Sequence, residues 1–219
     1  AENLSVAKWL EQRQFGPTLD VLLVVNPTQD LPGAEREGDR IQKLFQNQPF
    51  IKIHEIRGAQ ATKNMLLARF RSGEFDVVHY AGHAFFDQED PARSGIRCHQ
   101  DEVLSGADLA GIGNLPALMF FNACEAGRVR GASRTAPVGK KNNNVRKRLT
   151  ASVGLAEAFL RGGVANYLGT YWPVGDESAA AFAETFYTEL LKGRTVGAAL
   201  RAGRGKVLHE IKSVDWADY

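Results

Sequence analysis

Five short apolar runs constrain this chain more than any other feature: DVLLVVNP at 20–27, FIKIHEIR at 50–57, FDVVHYAG at 75–82, ALMFFNAC at 117–124 and VANYLGTY at 164–171. Their lengths and their β-branched and aromatic content are those of buried strands. Helical patterns fill the intervals. GAEREGDRIQKLFQ sets Ile41, Leu44 and Phe45 at i, i+3 and i+4, ATKNMLLARFRS carries Met65, Leu66 and Phe70, and ASVGLAEAFLRGG stops on glycines as a helix does. The last third, ESAAAFAETFYTELLKG then TVGAALRAGRGKVLHEI, reads as two helices separated by Gly193. Strands alternating with helices over short connections predict an α/β fold, a mostly parallel sheet covered on both faces.

With 219 residues, 44% of them apolar, the chain can bury one sizeable core, and a single domain over 19–219 is expected. Residues 1–18 differ: sparse apolar positions (Leu4, Val6, Trp9, Leu10, Phe15) and the break at Gly16 and Pro17 mark a tail or linker. No stretch approaches 18 uninterrupted apolar residues, and AENLSVAKWLEQRQFG has neither a basic start nor an apolar signal core. The expectation is therefore a cytoplasmic protein with no membrane span. Two cysteines, Cys98 and Cys124, are too few for a disulfide framework, so each thiol needs its own explanation.

The net charge of +2 conceals an uneven distribution. Between Glu125 and Glu157 no acidic residue occurs, while eight of the 27 basic ones do: Arg128, Arg130, Arg134, Lys140, Lys141, Arg146, Lys147 and Arg148. The other 19 face 25 acidic side chains, so the remainder is mildly acidic. With GASRTAPVGKKNNN around it, this segment reads as a solvated, flexible loop over about 128–149, and direct nucleic-acid binding as a lesser alternative. NPTQDLPGAE after the first strand lacks both G-x-G-x-x-G and G-x-x-x-x-G-K, which argues against a nucleotide enzyme. No cofactor is expected.

Parallel sheets gather reactive groups beyond the carboxyl ends of their strands. His83 falls just past one such end, in VVHYAGHAFF, and Cys124 at or just past another, in MFFNACEAG. If the two strands are neighbours, about 4.8 Å apart, a thiol and an imidazole face each other across a gap that a peptide carbonyl can enter. Such a pair suits nucleophilic catalysis: the thiolate attacks the carbonyl carbon and the imidazole protonates the leaving amine. Gly82 and Gly127 are expected to let the backbone turn sharply beside these residues. Alternatives stand beside this reading. A cysteine ending an apolar strand serves elsewhere as a small buried hydrophobe, and His79, His83, Cys98, His99 and Cys124 are all capable metal ligands. H-x-x-x-H shares one face only on a helix, however, and His79 lies within a strand, so no metal is expected.

DVVHYAGHAFF, LMFFNACEAG and the long stretch from GLAEAFLRGG through YWPVGDESAAAF to RTVGAALRAG together resemble a CHAT domain, a prokaryote-rich branch of the caspase-like cysteine peptidases, related to separase, gingipain and the caspases. The resemblance covers roughly residues 20–205. It implies a three-layer α/β/α sandwich and a catalytic dyad of His83 and Cys124, with His79 structural. It also implies an oxyanion hole from the backbone N–H groups of Cys124 and of the residue after the histidine. That residue is usually glycine in the family and is Ala84 here, which keeps the donor but disfavours positive φ by about 1 kcal/mol or more.

The resemblance further implies an extended peptide bound along a strand edge, with Trp172, Pro173, Val174 and Asp176 in the corresponding wall. Asp176 matches the acidic residue that selects arginine in separase. An aspartate before ESAAAFAETF is equally an ordinary helix cap, and the cap reading is the stronger. Arg146, Lys147 and Arg148 in NNNVRKRLT are a candidate processing site. The function expected is a cysteine endopeptidase acting on a protein or peptide substrate, regulated by TPR-type helical repeats or a partner. A catalytically inert peptide-binding scaffold of the same fold is the alternative.

Overall fold

The computed structural model describes residues 17–85, 93–109, 116–123, 164–170 and 174–219. All five apolar runs are strands in it: β1 (Leu19–Val25), β2 (Ile51–Arg57), β3 (Val77–Gly82), β7 (Leu118–Ala123) and β8 (Asn166–Gly169), with the short β4 (Ala84–Phe85), β5 (Gly95–Arg97) and β6 (Val103–Ser105) falling between β3 and β7. The five pair in the order β2-β1-β3-β7-β8, every pairing parallel. The described α-helices are α1 (Pro32–Gln46), α2 (Lys63–Ser72), α3 (Asp176–Leu191) and α4 (Val196–Lys206), with a single α-helical turn at Gly106–Leu109.

Strand β1 shows why the sheet must be sandwiched. Val21, Leu23 and Val25 join Ile41 and Phe45 of α1 and Phe182, Phe186 and Tyr187 of α3 in one core. Leu22 and Val24 point the other way, into a second core with Leu66 and Phe70 of α2, Val78, Tyr80, Met119 and Phe121. An uninterrupted apolar strand is stable only with both faces covered, each fully buried aliphatic or aromatic side chain contributing about 1.5–3 kcal/mol. The layers are therefore helix, sheet and helix.

Local signals set the helix ends. Pro32 opens α1, where its missing N–H costs nothing. Thr62 caps α2 by accepting from the N–H of Met65, and Gly73 ends that helix in the left-handed conformation at φ 68°. Thr195 caps α4 through the N–H of Ala198, and Gly193 separates α3 from α4. The expected helix over ASVGLAEAFLRGG lies outside the described residues.

The antiparallel sheet β4-β5-β6 has no counterpart among the five apolar runs. Its strands are two or three residues long, too short for any hydrophobic period to register. From β1 the chain passes through α1 to β2 on one side, then through α2 to β3 on the other. The connections after β1 and β3 thus diverge at the carboxyl edge of the sheet, the switch point at which this fold class places its ligands.

Candidate active site

Strand β3 delivers His83 to that edge. Tyr80 lies along the strand so that its hydroxyl is 2.7 Å from the carbonyl oxygens of both His83 and Arg97, and it donates its one proton to either. The Arg97 N–H also donates to the His83 carbonyl, at 2.8 Å. The backbone carrying the imidazole is pinned from two sides. Gly82 makes room for this: a Cβ there would stand 2.6 Å from the Tyr80 hydroxyl. The sharp turn expected at Gly82 is not what it provides, since it is the last residue of β3, and what the site requires is the absence of a side chain.

The loop after β1 closes over the ring. Nε2 of His83 lies 3.0 Å from Oδ1 of Asp30, with His83 only 4% exposed. Asn26 shapes this loop: its N–H continues the sheet by donating to Ala81, while its side-chain oxygen accepts from the N–H groups of Asp30 and Leu31. It does so at φ 45°, a left-handed conformation that asparagine tolerates better than most residues. Its amide donates in turn to Glu35, and Glu35, Asp39 and Glu55 surround Arg57. The Glu55 hydrogen bond leads in holding that guanidinium more firmly protonated than usual.

Strand β7 ends beside β3. The register runs from Val77↔Leu118 to Gly82↔Ala123, so the residues just before His83 and Cys124 occupy the last rung of the ladder. Behind it lies a buried polar network. Glu37 of α1, 3% exposed, accepts through Oε1 from Asn122 Nδ2 and is 2.9 Å from His79 Nε2. His79 Nδ1 is 3.0 Å from the Tyr187 hydroxyl, and the Tyr219 hydroxyl donates to Asn122 Oδ1. Burial first, and then the Glu37 charge, hold the Tyr187 phenol well above its ordinary range. His79 is thus fully occupied in tying α1 and α3 to the sheet.

Cys124, Gly127, Arg146, Lys147, Arg148, Trp172 and Pro173 lie outside the described residues. Ala84 is in β4, paired with Ile96, and is absent from the positive-φ residues. Because the neighbouring His83 carbonyl makes the ladder bond to β5, the Ala84 N–H points to the opposite side of its strand. Val174 is 6% exposed and has little surface to offer a peptide. Asp176 is not the helix cap: Gly175 holds that position, and Asp176 is the first residue of α3, where a carboxylate complements the helix dipole. Its Oδ2 pairs with Arg36 of α1 at 3.1 Å, over the space left by Gly33.

Cys98 is 0% exposed and burial pushes its thiol up to about 12, so it stays protonated and is a poor nucleophile at neutral pH. His99 Nδ1 is 3.4 Å from Gln29 Nε2. Among the described residues no group of three His, Cys, Asp or Glu side chains is disposed to hold a metal ion, and no helix among them is long and apolar enough to cross a membrane.

Asp30, Glu37 and Asn122 were not singled out from the sequence. Glu37 was readable, since it shares a helix face with Ala34 and Ile41, all three of them buried. Asp30 carried no local signal, because its partner lies 53 residues away.

An all-parallel five-stranded sheet between helical layers, with a histidine just past the carboxyl end of β3 and the neighbouring β7 ending at the residue before Cys124, makes this an α/β sandwich domain. The model of the CHAT domain matches residues 6–219, and the chain belongs to that caspase-like family. No curated protein matches it.

Proposed function

We propose that this chain is a cysteine endopeptidase in which Cys124 and His83 form the reacting pair. The observation that carries the reading is the final rung of the β3–β7 ladder, Gly82↔Ala123, after which the two chains continue directly into His83 and Cys124. Family membership supports the same chemistry.

The reaction follows from those groups. His83 takes the proton of the Cys124 thiol, and the sulfur attacks the peptide carbonyl carbon. The oxyanion formed is held by backbone N–H groups, for which Ala84 offers one aimed away from β5. The imidazolium gives its proton to the leaving amine as the C–N bond breaks, leaving a thioester. Water, deprotonated by the same ring, then hydrolyses the thioester to release the acid and restore the thiol. The extended conformation of Ala84 removes the physical objection to alanine in place of glycine, which favours the enzyme over an inert scaffold.

Selection of a basic residue by Asp176 requires the substrate guanidinium to displace Arg36. That exchange is inexpensive, because both partners are more than half exposed and such surface pairs contribute about 0–1 kcal/mol.

A peptidyl chloromethyl ketone with arginine at its reactive end tests the reading by mass spectrometry of the labelled chain. Alkylation of Cys124 that disappears in His83→Ala is the expected result. Equal labelling of wild type and His83→Ala would reduce Cys124 to an exposed thiol and overturn the assignment.

A further inference from the structure

The loop between β1 and α1 places a carboxylate against the ring that the proposed reaction uses. We propose that Asp30 is a positioning residue for His83, making the machinery a chain of three groups, Asp30, His83 and Cys124. The inference rests on the dyad reading above.

The geometry supplies the argument. Oδ1 of Asp30 is 3.0 Å from Nε2 of His83. An ionised carboxylate only accepts hydrogen bonds, so the neutral ring facing it carries its proton on Nε2 and its lone pair on Nδ1. The thiol proton is therefore received at Nδ1. Once it has moved, the ring is an imidazolium with a carboxylate against its far nitrogen, and the pair is little screened, because the His83 side chain is only 5% exposed and that of Asp30 29%. The Nε2 proton stays on nitrogen throughout. Asp30 orients and stabilises the ring without becoming protonated.

The loop is built to hold this contact. The Asn26 side-chain oxygen receives the Asp30 N–H at 3.2 Å and the Leu31 N–H at 3.1 Å, and the Asn26 N–H is anchored to Ala81, two residues before His83. The Thr28 hydroxyl donates to the same Oδ1 of Asp30 that faces the ring, restricting its rotation. The contact joins the two connections that diverge from the switch point, so it depends on the folded topology and on nothing local in the sequence.

The test uses Asp30→Ala and Asp30→Asn in the full chain, each checked for folding by its thermal transition, with two readouts. One is the rate of Cys124 alkylation by the arginyl chloromethyl ketone, split into binding and inactivation steps. The other is the ¹⁵N signature of the His83 ring, read in a Cys124→Ala background where no reaction intervenes. In Asp30→Ala the inactivation step should slow about 10- to 100-fold, the range common when a group orienting a functional histidine is lost, with inhibitor binding changed little, and the ring should pass from the Nε2-protonated tautomer to a mixture. Asp30→Asn should retain the tautomer, because its amide oxygen still accepts, yet lose rate, because it lacks the charge. An unchanged tautomer in Asp30→Ala, or an unchanged inactivation step, overturns the proposal. If the wild type is not alkylated at all, the dyad reading fails and the catalytic role of Asp30 with it, while the tautomer comparison still reports whether Asp30 orients the ring.

Discussion

The Tyr80 hydroxyl stands 2.7 Å from the carbonyl oxygen of His83, three residues along the same chain, and Gly82 leaves the space in which the phenol reaches it. Strand β3 thereby fixes its own terminus, independently of what the His83 side chain does. Tyr80→Phe removes the donor and retains the ring, and should cost about 1 kcal/mol of stability in urea denaturation. Gly82→Ala forces a methyl group against the phenol and should cost about 1–3 kcal/mol. Both should slow Cys124 alkylation by several-fold. A Gly82→Ala protein as stable as wild type would show that the phenol does not occupy this space.

The second prediction concerns the network under the site. Glu37 accepts from Asn122, which precedes Cys124 by two positions, and faces His79 on the adjacent strand. Glu37→Ala leaves both nitrogens buried opposite a void and should destabilise the domain by about 2–4 kcal/mol. Glu37→Gln keeps one acceptor oxygen and should cost clearly less. Denaturant midpoints for the two variants decide the point, since equal midpoints would mean that the carboxylate satisfies neither neighbour.

The parts of the molecule that were legible in the sequence are those whose energetics are local or periodic. The five apolar runs announced strands covered on both faces, and Leu22 and Leu23, buried against opposite cores, show why that reading transfers to structure. The place of His83 just past the end of β3 was legible, because the apolar run stops there. The sheet β4-β5-β6 was not, because three residues such as Val103–Ser105 carry no measurable period. Asp30 was hidden for another reason: its partner His83 is set by where the chain reverses its direction across the sheet. Arg36 and Asp176, 140 residues apart, illustrate the same limit, and their pairing turns an expected helix cap into a tie between α1 and α3.

The third prediction separates the two thiols by pH. Burial pushes the Cys98 thiol up to about 12 in the folded protein, whereas in the unfolded chain it ionises near about 8.5. Between those values the unfolded state binds fewer protons than the folded one, so stability falls as pH rises; the contribution is fully present below the lower value. The slope attributable to this one group is about 1.4 kcal/mol per pH unit inside the window, and it should vanish in Cys98→Ala, measured as the difference in denaturation free energy between the two proteins from pH 8 to 11. A disulfide reagent applied at pH 7.5 should leave Cys98 untouched until the chain unfolds, so that native Cys124→Ala gives no fast reaction. Prompt modification of Cys98 in that native variant would place its sulfur within reach of solvent, and the pH slope would then have to be absent as well, since burial is the cause of both effects.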